Sequence, residues 1–109
     1  MEIKIEGILA LDQPEDFDRA HVEVELRDTS LADMPRSVVA STHRFISGSA
    51  VRTIKFSLKA NVEQDRDYTL GAEVRRGAKL APHDLLSVVS RQWRAGEPNP
   101  VLIEVKSIF

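Results

Sequence analysis

Asp28, Ser30 and Asp33 place three oxygen-bearing side chains within six residues, the ligand type that calcium and magnesium favour. The segment Arg27-Asp28-Thr29-Ser30-Leu31-Ala32-Asp33 has no glycine to turn a loop around an ion. It also lacks a glutamate at loop spacing to close on the ion with both oxygens. Short polar side chains of this kind equally accept hydrogen bonds from nearby amides and so shape a bend. The bend is the better reading, and no metal is expected. The three histidines, His21, His43 and His83, show neither His-x-His nor His-x-x-x-His spacing. A metal held by all of them would require distant segments to converge. Nine serines are present without a Gly-x-Ser-x-Gly elbow to activate one. The absence of cysteine removes thiolate catalysis, disulfides and zinc ribbons together. No catalytic residue, no cofactor and no enzymatic activity are expected.

A second group is cationic. Arg75, Arg76 and Lys79 surround Gly77, and Arg91, Trp93 and Arg94 follow. If residues 68–75 and 85–93 pair across that turn, Arg75, Arg76, Lys79, Arg91 and Trp93 could share one end of a sheet. Arginines beside an aromatic ring can hold an anion or an acidic segment. The simpler reading is a solvated hairpin whose charges discourage edge-to-edge aggregation. Fifteen cationic and seventeen acidic residues leave a net charge of −2, so no global field draws the chain to nucleic acid. It also lacks the aromatic-rich basic strand of an RNA-recognition surface, and no nucleic-acid partner is expected.

These residues sit among short alternating segments. Val22, Val24 and Leu26 alternate with Glu23, Glu25 and Arg27, the period-two signature of a half-buried strand. The same rule predicts strands over residues 2–11, 20–28, 38–46, 52–59, 68–75 and 100–108. Between 38 and 46 the inward face is ambiguous, because Val38 and Val39 are both apolar. Residues 82–95 are open to two readings. Leu85, Val89 and Trp93 form a helical stripe between Pro82 and Gly96, yet the same residues also alternate. The Ser-Val-Val-Ser centre favours a seventh strand. A chain of 109 residues is one domain, here all-β, read as a single antiparallel β-sandwich of about seven strands, Ig-like or transthyretin-like. Its inner faces would supply Ile3, Ile5, Val22, Val24, Leu26, Ile54, Phe56, Leu58, Tyr68, Leu70, Val74, Val101, Ile103 and Val105.

The stretch from Val22 to Ser41 resembles the strand–loop–strand that opens the YbaY/YscW family. The Ile54-x-Phe56-x-Leu58 strand, the Tyr68-led strand before Gly77 and the connection Gly96-Glu97-Pro98-Asn99-Pro100 are similar too. The resemblance implies a small β-sandwich of the lipoprotein-chaperone kind. Characterised members include pilot proteins, which escort secretin subunits to the outer membrane by an acylated N-terminal cysteine. These residues contain no cysteine, and Met1-Glu2-Ile3-Lys4-Ile5 alternates at once instead of forming a signal peptide. No window approaches the ~18 apolar residues of a membrane span. The expectation is a soluble, cytoplasmic, chaperone-like module with no membrane partner. It would bind a protein or peptide through a sheet edge or groove, and a homodimer is open to it as well. The alternative is a small-ligand or carbohydrate-binding sandwich, which would show an exposed Trp93 beside a concave surface.

Overall fold

The computed structural model describes residues 1–30, 37–75 and 85–105. Its five strands are β1 (Glu2–Asp28), β2 (Ser37–Asn61), β3 (Tyr68–Arg75), β4 (Leu85–Trp93) and β5 (Val101–Val105). They form one sheet in the order β2-β1-β3-β4, with β5 also on β1. Five strands stand where alternation predicts seven, and one hydrogen-bonded sheet stands where two are expected. The predicted first and second strands are one continuous β1, and the third and fourth are one β2. The pairing is also not wholly antiparallel, since β5 runs parallel to β1 from Gly7↔Val101 to Leu11↔Val105. Residues 85–93 form a strand, which resolves the helix-or-strand question.

A strand of 27 residues would be about 90 Å long at ~3.3 Å per residue. The longest dimension of the molecule is 40 Å, so β1 must fold back on itself. The β1–β2 register slips between Ala10 and Glu15, between Glu15 and Phe17, and between Phe17 and Ala20. Such irregularities bend a strand and increase its twist. Pro14 lies in the same stretch and has no amide hydrogen to offer the ladder. The facing part of β2 turns at Gly48 and Ala50, the latter at φ 51°. The Asp16 carboxylate accepts the Ala50 amide at 2.7 Å, and the Ser47 hydroxyl donates to the Asp18 carbonyl. Both strands therefore bend together.

The bend folds both halves of β1 around one core. Ile5 and Leu9 from the first half pack in the same cluster as Val22, Val24 and Leu26 from the second. Ile54, Phe56, Leu58, Tyr68, Leu70, Val74, Val101, Ile103 and Val105 are buried as expected. Ile3 is only half-buried at the margin. Trp93 joins the core and meets Tyr68 edge-on at 5.9 Å between ring centres. Gly7 sits opposite Phe56, and a β-carbon there would collide with the Phe56 ring and stand 2.6 Å from the Val101 carbonyl oxygen. Just before β5, the Asn99 side chain accepts the Glu6 amide and donates to the Lys4 carbonyl, both at 3.1 Å. It thereby continues the parallel ladder beyond the strand's own start.

Candidate functional site

β2 ends the strand order, so its outer backbone edge is unpaired among the described residues. Directly opposed residues on antiparallel strands face the same side. Ala40, Thr42, Arg44 and Ile46 lie opposite Leu26, Val24, Val22 and Ala20, and therefore share the core-facing side. All four partners on β1 are buried, but none of the four residues on β2 is. The first half of β2 thus presents an inward face that the core covers only in part, with Ala40 and Ile46 packed against its margin and Arg44 exposed. A groove of about 710 Å³ opens there. Residues 42–44 and 55–57 of β2 line it together with Glu6, Gly7, Ile8, Val22 and Val24 of β1 and Pro100. The surface is apolar below, with Arg44 exposed at the mouth.

The opposite face of the same strands is polar. His21 and His43 lie with ring centres 5.5 Å apart, and His21 also touches Phe45 at 5.3 Å. Phe45 is an exposed aromatic, with the Arg19 guanidinium 4.2 Å from its ring centre. Arg27 donates to Glu25 Oε2 from Nε at 3.0 Å and from Nη2 at 2.7 Å, which holds the Glu25 carboxyl below its ordinary range. Glu23 shares a hydrogen bond with Glu25 and is pushed up, with partial desolvation adding to the effect. Among the described residues, no cluster of three or more histidine or carboxylate side chains could hold a metal ion.

The bend-forming residues act as their chemistry suggests. Asp28 Oδ1 accepts the Ser30 amide at 2.9 Å, and Oδ2 receives Arg66 Nη1 at 2.8 Å. Those bonds hold the Asp28 carboxyl below its ordinary value, with the Ser30 contribution larger than that of Arg66. Ser30 Oγ accepts the Asp67 amide at 2.8 Å, and Thr29 donates to the Asp67 carbonyl at 2.9 Å. Asp28 and Ser30 therefore tie the end of β1 to the turn before β3. Asp33 and Pro35 lie outside the described residues, as do His83, Arg76 and Lys79.

The shared cationic end does not form from its described members. β3 and β4 do pair, but Arg91 faces Leu70 and Trp93 faces Tyr68, whereas Arg75 faces Leu85. Antiparallel pairing thus puts Arg75 and Trp93 at opposite ends of the hairpin, about 20 Å apart along the strand. Arg75 pairs with Glu73, Arg91 with Glu97 and Arg94 with Asp67. Trp93 is buried at 2% exposure and offers no platform to a sugar or planar ligand. The groove residues Thr42, Arg44, Phe56 and Gly7 were not legible as a site from motifs. Two signals mark them: a cation at a core-phase position, and no acidic residue between 37 and 61.

No helix among the described residues is long and apolar enough to cross a membrane. No curated protein matches the chain. A solved structure, an alternative pilotin from the type II secretion system of Vibrio cholerae, has the same fold at a TM-score of 0.73. It is 23% identical, and the match covers 96% of each chain. The YscW family, described as type III secretion system lipoprotein chaperones, matches residues 4–91, which is most of the sequence. That match runs through the bent β1–β2 pair and the groove it encloses, and the chain belongs to the YscW family.

Proposed function

We propose that this protein is a non-enzymatic, chaperone-like binding domain that holds a segment of a partner protein in the groove beside β2. The observation that carries the reading is the groove beside the partly covered inward face of β2, with Val22, Val24 and Phe56 in its lining. A groove of this kind buries apolar side chains of a guest, while its lips satisfy the guest's polar groups. On this reading the two halves of the bent sheet act as the layers of a sandwich that part along the β2 side. Family membership supports the class of activity. The partner class it suggests is a subunit of a secretion channel, with a secretin as the candidate. The small-ligand alternative loses its main support with the burial of Trp93.

The test is calorimetry with peptides that tile the secretin of the source organism. One tile should bind, and Thr42→Trp, which fills the groove from its lip, should abolish that binding while leaving the melting temperature near the parent value. Failure of every tile to bind would overturn the reading.

A further inference from the structure

The 25 residues of β2 carry Arg44, Arg52, Lys55 and Lys59 and not one carboxylate. Its neighbour β1 is rich in acid, with Glu2, Glu6, Glu15, Asp16, Glu23 and Glu25 among its carboxylates. The charges nevertheless do not pair across the two strands. Lys4 binds Glu6 at 3.1 Å and Arg27 binds Glu25, each ion pair staying within β1. None of the four cations on β2 is in an ion pair among the described residues. Lys59 even stands directly opposite Lys4, an arrangement that costs stability between strands.

Lysines on an edge strand commonly serve to repel other edges. Lys55 and Lys59 lie on the outer face beside the edge of β2, where they repel a second basic strand and attract carboxylates alike. Arg44 differs, because its place opposite Val22 sets it on the core-facing side, at the mouth of the groove. Unpaired cations on the outer face beside a partly apolar groove are suited to a guest that brings carboxylates on one face and apolar side chains on the other. Resting on the groove reading above, we infer that the guest of β2 is an acidic extended segment, with apolar residues at every second position and carboxylates between them. It adds to the bare edge of β2, lowers apolar side chains toward Phe56 and sets its carboxylates on the outer face, beside Lys55 and Lys59. A second copy of this chain is a poor occupant, since two such basic edges repel each other.

The test uses three synthetic peptides of about twelve residues that alternate valine or leucine with glutamate, with glutamine or with lysine. Each is titrated into isotope-labelled protein, and amide shifts are followed by NMR. The glutamate peptide should perturb residues 40–46 and 53–59 and bind at least about tenfold more tightly than the glutamine peptide. Its affinity should fall with added salt. Lys55→Glu should weaken it by about tenfold and let the lysine peptide bind, and Lys59→Glu provides an independent second variant. Equal binding of the glutamate and glutamine peptides at β2 would overturn the acidic guest and leave the groove reading standing. Shifts centred on another strand, or no binding by any of the three, would overturn the inference, with the groove itself then judged by the tiled natural peptides. A concentration-dependent dimer that protects β2 in the free protein would make a second copy the occupant and also overturn it.

Discussion

The Phe56 ring lies over the α-carbon of Gly7, filling the space that any other residue at position 7 would claim. A bare backbone in one strand and a large ring directly opposite complement one another, which is how an aromatic residue rescues a glycine within a sheet. Gly7→Ala should therefore destabilise the fold by about 1–3 kcal/mol, the range of an overpacked core. The Val101 carbonyl on the other side leaves little room to yield. Urea unfolding measures this directly, and an unchanged midpoint would show that the ring can move aside into the groove.

Phe56→Ala removes the other half of the contact. Phe56 is 8% exposed and belongs to the main core, so the loss should be about 3–5 kcal/mol. Combining it with Gly7→Ala should cost less than the sum of the two, because the new methyl group then occupies space the ring has vacated. A double-mutant cycle by denaturant unfolding checks the coupling.

Asp28 predicts a defined pH dependence. Its folded pKa lies below the unfolded value of about 3.9, so its contribution is complete above that pH. It is lost as pH falls through the unfolded value and on to the lower folded one. Asp28→Ala should lower stability by about 0.5–2 kcal/mol at neutral pH and by progressively less below pH ~4. Melting curves of parent and variant that stay equally far apart at acid pH would assign the effect to something other than this carboxylate.

Ala50 holds a left-handed backbone conformation at the bend of β2. Ala50→Gly should leave stability unchanged or raise it by up to about 1 kcal/mol, whereas Ala50→Val should lower it. Asp16→Ala should destabilise the same turn by about 1 kcal/mol, since the Ala50 amide loses its acceptor. Thermal melts of the three variants test whether the bend is held as described.

We propose a cytoplasmic location, in keeping with a chain whose 29% charged residues suit a soluble domain. Fractionation of native cells should find the protein in the soluble cytoplasmic extract. Recovery with membranes, or detection of an acyl group by mass spectrometry, would overturn that placement.

Alternation marked a part of each strand among the described residues, because a strand with one buried face imprints period two on its residues. It could not show that residues 2–28 form a single strand. The break in pattern around Pro14 reads as a loop in sequence, but in space a bulged strand and a short loop look alike locally. The ambiguity of residues 38–46 has a physical basis. Their inward-facing members include Thr42 and Arg44, which line an open groove and need not be apolar. Where the core is left open, the sequence loses the pattern that a closed core would impose. The cationic cluster misled for a different reason, since proximity along the chain says nothing about which end of a hairpin a side chain occupies.

The parallel pairing of Gly7 with Val101 also sets an order of events during synthesis. The edge of β1 that receives β5 emerges from the ribosome more than ninety residues ahead of its partner. At about 5–20 residues per second it waits roughly 5–20 s with its hydrogen-bonding groups uncovered. The β2-β1-β3-β4 path can pair once β4 has emerged, but the edge at Gly7–Leu11 still waits for β5. The nascent chain must reach its final strand before its first one is shielded. Through that interval its freedom from aggregation depends on the charged residues that alternate along β1.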